Sequence, residues 1–387
     1  MRTLLLLLLA TSVVRAAERP PVAHDAYIWQ RRWTPELATT VGAMADVLAG
    51  YRVLVAELDR RGPVRIAVDW SALAATLRPV TLVVRIPGAA PAFDPVAVAE
   101  LIMAAYRAAT IAGVSVVGVE VDHDCARSRL SSYALQIRAL QARVDAPLQW
   151  SITTLPDWLH SNALPELLQA VDTSVLQVHA VAKPGAGLFD AAQALRWIRA
   201  YALITPKPFR VALPAYATRV TLADDGRILA IDSDADTMPI FAATARELAV
   251  DPRRAAVVVQ RLQASSPAHF AGVSWFRLPL DLDRRAWSTA TLRALIADED
   301  MHRPVHAERV RVGTGPGFDV MLRNVHAIDV LAPSSVTVPR NCLSGEGLAG
   351  YRFDAERARF ISNAPPLLKP GASRTIGWMI CQGSSTR

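Results

Sequence analysis

Residues 114–125 read Val-Ser-Val-Val-Gly-Val-Glu-Val-Asp-His-Asp-Cys. The first half is β-branched and apolar, the pattern of a strand covered on both faces. In the second half Glu120, Asp122 and Asp124 share one parity, and Val121 and His123 share the other. Successive strand side chains point to opposite faces, so a strand running through Asp124 stacks three carboxylates in one column. Like charges in contact raise the pKa of at least one member. A protonated Asp124 beside an ionised Asp122, with Glu120 behind them, is therefore a candidate general acid. His123 points away from the column and leaves it without the imidazole partners a zinc site wants, so neither a metal nor another cofactor is expected.

Such a column needs a buried strand whose C-terminal end opens on a rim. The chain reads as strand then helix, repeatedly, with strands expected at residues 26–30, 51–57, 80–86, 148–153, 174–179, 209–213 and 273–276, besides the acid strand. Residues 64–70 compete with 80–86 for the third barrel strand; the latter is favoured, with the former as an added pair. Thr34-Pro35 and Asp94-Pro95 mark helix starts as N-cap and first helical residue. Repeated βα units fit an open doubly wound sheet or a closed barrel. A nucleotide-binding open sheet carries a glycine-rich turn after its first strand, whereas residues 30–35 are Gln-Arg-Arg-Trp-Thr-Pro. Eight units over ~280 residues match the usual barrel size. The expected fold is α/β: a (β/α)8 TIM-like barrel over residues 24–300, with its active site at the C-terminal strand ends.

Those ends supply the substrate-binding candidates Trp29, Gln30, Arg85, Gln177, His179, Tyr216 and Trp275. Trp29, Trp150 and Trp275 can form an apolar floor for a sugar ring, or they can be barrel core. Gln177 and His179 share a parity and can bind hydroxyl groups, although a histidine at a strand end can equally be a satisfied structural group. Arg85 can pair with the acids, which would make the column an ion-pair network rather than a site. Residues 218–223 and 227–232 flank Asp224-Asp225-Gly226, a hairpin signal beside the barrel mouth.

Composition bounds the rest. The 387 residues, 52% hydrophobic and 20% charged, describe a folded chain of one large unit and one small one. The formal charge of +7 is scattered among arginines without a basic run, so no nucleic-acid partner is expected. Met1-Arg2 and a leucine-rich stretch to Val14 read as a secretory leader (residues 1–16) cleaved after Ala16. No later run reaches the ~20 apolar residues of a membrane span. The mature chain is expected to be exported, periplasmic or extracellular, and monomeric. From residue 304 to 387, short strands punctuated by Gly, Pro and Asn replace the helical periodicity, predicting a small antiparallel β-sandwich. Its Cys342 and Cys381 can bridge in an oxidising compartment, worth roughly 3–4 kcal/mol in the chain-entropy model. Cys125 is then left over as a buried thiol.

Residues 26–33 (Ala-Tyr-Ile-Trp-Gln-Arg-Arg-Trp), 119–125, 176–179 (Leu-Gln-Val-His), 209–214 (Phe-Arg-Val-Ala-Leu-Pro) and 371–378 (Gly-Ala-Ser-Arg-Thr-Ile-Gly-Trp) resemble an exported bacterial family known as domain of unknown function 3142. The similarity covers nearly the whole mature chain and implies export and a barrel, without an activity. More distantly, the acid column resembles the Asp-x-Asp-x-Glu signature of chitinase-like glycoside hydrolases. In that pattern the last acid protonates the glycosidic oxygen and the one before it orients and balances it. Here Glu120 stands for the first Asp and Asp124 for the Glu, and His179 stands where those enzymes place a Tyr. A displacement of ~1 Å in a reacting group can cost on the order of a hundredfold in rate. Three functions are compatible with these residues: a glycoside hydrolase or transglycosylase acting on an envelope polysaccharide, a carbohydrate-binding barrel without turnover, and a structural protein of the cell envelope. The acid column favours the first.

Overall fold

The computed structural model describes residues 20–59, 62–90, 92–179, 187–232 and 244–382. The expected leader and its cleavage point after Ala16 lie outside them. The chain begins β1 (His24–Ile28), α1 (Pro35–Met44), β2 (Gly50–Asp59), β3 (Gly62–Arg65), α2 (Trp70–Ala75), β4 (Val80–Ile86) and α3 (Pro95–Ile111). It continues β5 (Val116–His123), α4 (Leu130–Gln141), β6 (Gln149–Thr154), α5 (Leu164–Gln169), β7 (Thr173–Gln177), α6 (Ala191–Ala202) and β8 (Phe209–Pro214). Three strands then intervene, β9 (Ala217–Leu222), β10 (Ile228–Asp232) and β11 (Thr244–Ala249), before α7 (Pro252–Ala264), β12 (Phe270–Phe276) and α8 (Thr289–Ile296).

Strands β1, β2, β4, β5, β6, β7, β8 and β12 pair in parallel, and β12 returns to β1. The result is the expected closed (β/α)8 barrel. Of the expected added strand at residues 64–70 only the start is extended: β3 covers Gly62–Arg65, antiparallel to the C-terminal end of β2, and Trp70 opens α2. Helix starts follow the sequence signals. Thr34 accepts a hydrogen bond from the Leu37 amide at 3.2 Å, and Asp94 accepts from the Val96 amide at 2.9 Å. Each cap satisfies an amide that the first helical turn leaves unpaired, and the following proline lacks one to satisfy. The hairpin signal at residues 224–226 is realised as the β9–β10 turn, and β11 pairs with the other side of β9.

Outward-facing strand residues such as Val53, Leu82, Val121, Ile152 and Val211 are fully buried beneath the helices. The interior is divided by depth. Tyr27, Leu54, Val83, Val175 and Ala212 form an apolar belt. Toward the N-terminal strand ends lies a charged floor. Arg52 pairs with Asp25 at 3.1 Å and with Glu120, and Arg210 pairs with Asp25 at 2.9 Å. Tyr27 Oη and Ser151 Oγ donate to the Glu120 carboxylate at 2.7 and 3.2 Å.

Beyond the barrel come β13 (His306–Arg311), β14 (Gly317–Arg323), β15 (Val330–Leu331), β16 (Ser335–Thr337), β17 (Cys342–Gly347), β18 (Tyr351–Asp354), β19 (Arg359–Ser362), β20 (Leu367–Leu368) and β21 (Ser373–Cys381). A four-stranded antiparallel sheet, β13-β14-β21-β17, shares a core with the sheet β16-β19-β18, where Leu322, Ile376 and Met379 meet Val336 and Phe360. Cys342 and Cys381, at paired positions of β17 and β21, form a disulfide. Asp329 joins this region to the barrel: its carboxylate accepts from the Ser288 amide and hydroxyl and from Thr291 Oγ1 at the start of α8.

The floor makes a direct demand on stability. Removing one partner of a buried ion pair leaves the other uncompensated, at roughly 3–5 kcal/mol. Glu120→Gln is expected to lower the unfolding free energy by about that amount in denaturant titration. A loss below about 1 kcal/mol would show that the floor is not an interdependent unit.

Candidate active site

The C-terminal strand ends surround a cavity of about 470 Å³. β5 brings Asp122 to its base, and Asp124, one residue past the strand, to its lip. Asp122 is buried and Asp124 exposed. Glu120 does not reach the cavity. Strands rise ~3.3 Å per residue, which sets Glu120 about 13 Å below Asp124, and its oxygens are taken by Arg52, Tyr27 and Ser151. The candidate acids are therefore a pair, with Glu120 belonging to the floor.

Thr153 Oγ1 donates to Asp122 Oδ1 at 2.6 Å, and Gln177 Nε2 lies 3.5 Å from the same oxygen. Burial and then the neighbouring Asp124 push the Asp122 carboxyl up to about 8, against the opposing pull of the Thr153 hydrogen bond and Arg85. The cavity walls also remove water from around Asp124 and raise its carboxyl, while Arg85 lowers it. Asp122 thus holds a proton near neutrality more firmly than its place in the middle of the column suggests. Among the described residues neither aspartate is ion-paired. Arg85 pairs instead with Glu57 at 3.4 Å, and Glu57 also receives both Arg31 Nε (2.5 Å) and Nη2 (2.9 Å). Gly88, on the loop after β4, lies so close that a Cβ there would collide with the Asp124 backbone oxygen.

Other candidates divide between the cavity and the framework. Trp29, Arg85, Gln177, His179 and Tyr216 line the cavity. Arg85 stands 5.7 Å from the Trp29 ring centroid, a cation–π placement. His179 stacks on Phe276 at 5.6 Å and meets Tyr216 edge-on at 5.7 Å. Its Nδ1 lies 3.2 Å from the Ala212 carbonyl, which can only accept, so Nδ1 carries the proton and Nε2 is left as an acceptor. Burial lowers its pKa to about 4, keeping the ring neutral.

Three candidates do not meet the cavity. Trp275 is fully buried on the outer face of β12, against Trp287, with its Nε1 donating to His24 Nδ1 at 3.1 Å. Parity is the reason: Ser274 and Phe276 face inward, and Trp275 faces the helices. Trp150 likewise lies in the outer core. Gln30 follows the end of β1, where its Nε2 donates to the Leu278 carbonyl at 3.2 Å and its Oε1 accepts from the Trp29 amide. Tyr27 and Phe276 line the cavity without having been expected there. Tyr27 was accessible by parity, two residues before Trp29. His123 lies outside with Phe93 and Tyr133, as its parity required.

This is a barrel with two neighbouring aspartates and an aromatic wall at the mouth formed by its C-terminal strand ends. The chain belongs to the family described as Domain of unknown function (DUF3142), whose model matches residues 76–281; a second, Domain of unknown function (DUF8456), matches residues 311–382. No curated protein matches the chain. Among solved structures it is similar to the spore cortex-lytic enzyme SleL of Bacillus cereus, with TM-score 0.53 and 13% identity over 74% of this chain and 76% of that one. It is similar also to SleL of Bacillus megaterium QM B1551 (0.51, 12%, 73% and 75%) and to a chitinase from Bacteroides thetaiotaomicron (0.51, 14%, 74% and 100%). At these identities the likeness is one of fold.

The buried proton gives a stability test. A carboxyl raised in the folded state stabilises below its unfolded pKa, near 4, and that contribution is lost as pH rises toward about 8. Asp122→Asn cannot ionise, so it is expected to gain stability over the wild type between pH 5 and 9 by an amount that grows with pH. Parallel melting-temperature profiles across that range would contradict the buried proton.

Proposed function

We propose that this protein is an exported glycoside hydrolase or transglycosylase acting on an envelope polysaccharide through Asp122 and Asp124. The observation that carries this reading is an open cavity with two neighbouring aspartates, of which Asp122 keeps a proton near neutrality, and neither of which is ion-paired among the described residues. Asp124, at the lip, is the carboxyl a glycosidic oxygen can approach. Asp122, fixed by Thr153 and facing Gln177, shares the proton and takes up the charge left when Asp124 delivers it. Trp29 and Phe276 offer faces for a sugar ring, and neutral His179 and Gln177 offer hydrogen bonds to hydroxyls. The fold shared with a chitinase and two cortex-lytic enzymes supports a polymeric glycan as substrate.

On this reading Asp124→Asn retains fold and ligand affinity but loses at least about a hundredfold in turnover, because an amide keeps the shape and cannot deliver a proton. Wild-type activity is expected to fall as pH rises past about 8, where the pair loses its proton. Turnover by Asp124→Asn equal to the wild type, on a polysaccharide the wild type cleaves, removes this residue from the mechanism. No helix of the described residues is long and apolar enough to cross a membrane. Export is proposed from the leader-like residues 1–16, and N-terminal sequencing of secreted protein is expected to begin at Ala17. A retained Met1 would remove that proposal.

A further inference from the structure

A second cavity, of about 770 Å³, lies where the β9–β11 sheet, the loop after β12 and the C-terminal sheets meet. Among the described residues its lining carries six arginines (Arg219, Arg246, Arg284, Arg285, Arg352 and Arg374) against one acid, Glu247. Three separate parts of the chain converge there: β9 and β11, the segment before α8, and strands β18 and β21. Among the described residues, Arg219, Arg246, Arg284, Arg352 and Arg374 form no ion pair, whereas elsewhere Arg31, Arg52, Arg210, Arg253 and Arg293 each hold a carboxylate. Like charges gathered in a concavity reinforce one another, because its low-dielectric walls focus their field. Among the described residues, Glu247 is the acid that the lining sets against this concentration of positive charge.

We propose that this cleft binds the carboxylate groups of an acidic polysaccharide. A guanidinium presents paired N–H donors that match a carboxylate in bidentate fashion, and several around one recess suit a chain with repeated acidic groups. Small residues between the arginines, including Ala245, Ala249, Ala349 and Gly350, leave room for a bulky backbone. Among the described residues the one aromatic ring in the lining is Tyr351, which is buried and donates its hydroxyl to the Pro333 carbonyl at 2.6 Å. A nucleic-acid strand is thus offered charge without the stacking faces that single-strand binding uses. The β9–β11 sheet also borders the first cavity, through Ile231 and Asp232. One polymer lying along that sheet would meet both. The choice of a glycan over other polyanions rests on the function proposed above; the preference for anions rests on the cleft alone.

The test is equilibrium binding by the full mature chain, wild type and Arg352→Glu/Arg374→Glu, to three probes: a short oligogalacturonate, a neutral chito-oligosaccharide of similar length and polyuridylate RNA. Both substituted side chains are exposed, so the variant is expected to fold. The wild type is expected to bind oligogalacturonate with an affinity that falls as salt is raised. The double variant is expected to weaken it at least about tenfold and leave chito-oligosaccharide binding unchanged. Absence of oligogalacturonate binding at low salt, or equal binding by the variant, overturns the proposal. Tighter binding of RNA than of oligogalacturonate overturns it in favour of a nucleic-acid site. Oligogalacturonate binding by a wild type that turns over no glycan would refute the proposed enzymatic function while leaving the cleft's role intact.

Discussion

Arg52 lies inside the barrel, out of water, between two carboxylates that come from different strands. A guanidinium cannot shed its proton there, so Asp25 and Glu120 must be held in place, and Arg210 balances the second charge. This floor ties β1, β2, β5 and β8 in register. A slip of one residue in any of them would send its charged group into the apolar layer under the helices and bring a Val or Ala inside. The parity that fixes Glu120 in the floor is the same parity that aims Asp122 and Asp124 at the mouth. One set of buried charges therefore determines where the unpaired ones emerge.

The apolar belt between the floor and the mouth sets the chemistry above it. Tyr27, Leu54, Val83, Val175 and Ala212 keep water away from the base of the cavity. Asp122 is consequently a poor place for a negative charge, and its Thr153 hydrogen bond only partly offsets that penalty. Arg85 softens the field without capturing either acid, because Glu57 engages it first. Occupying Arg85 with Glu57 leaves the aspartates to share charge with each other.

The barrel was legible because its signals are local and repeated: alternating units, proline after a capping residue, and a first turn without glycine. The inward direction of Asp122, Asp124, Arg85, Gln177 and His179 followed from alternation along a strand. What alternation could not supply was depth and phase. Glu120 has the same parity as the other acids, yet it meets Arg52, a partner sixty-eight residues away in sequence. Trp275 is one residue out of phase with Phe276, and nothing in its own neighbourhood of the chain marks which of the two faces inward. Gln30 was misplaced because β1 ends at Ile28, after which its side chain secures the turn. The arginine cleft was invisible for a related reason: its charges lie on three segments that meet only when the C-terminal sheets dock against the loop before α8.

The β9–β11 sheet leaves and rejoins the barrel through a narrow neck. Ala217 and Ala249 are directly paired, and Tyr216 bridges to Ala286. The barrel strands on either side, β8 and β12, pair with each other without help from the insert. An element fastened at adjoining points can change in length and sequence while the scaffold beneath keeps its hydrogen bonds. It behaves as an exchangeable cassette. A different cassette could be seated at this neck while the barrel floor and the direction of the aspartates stay as they are.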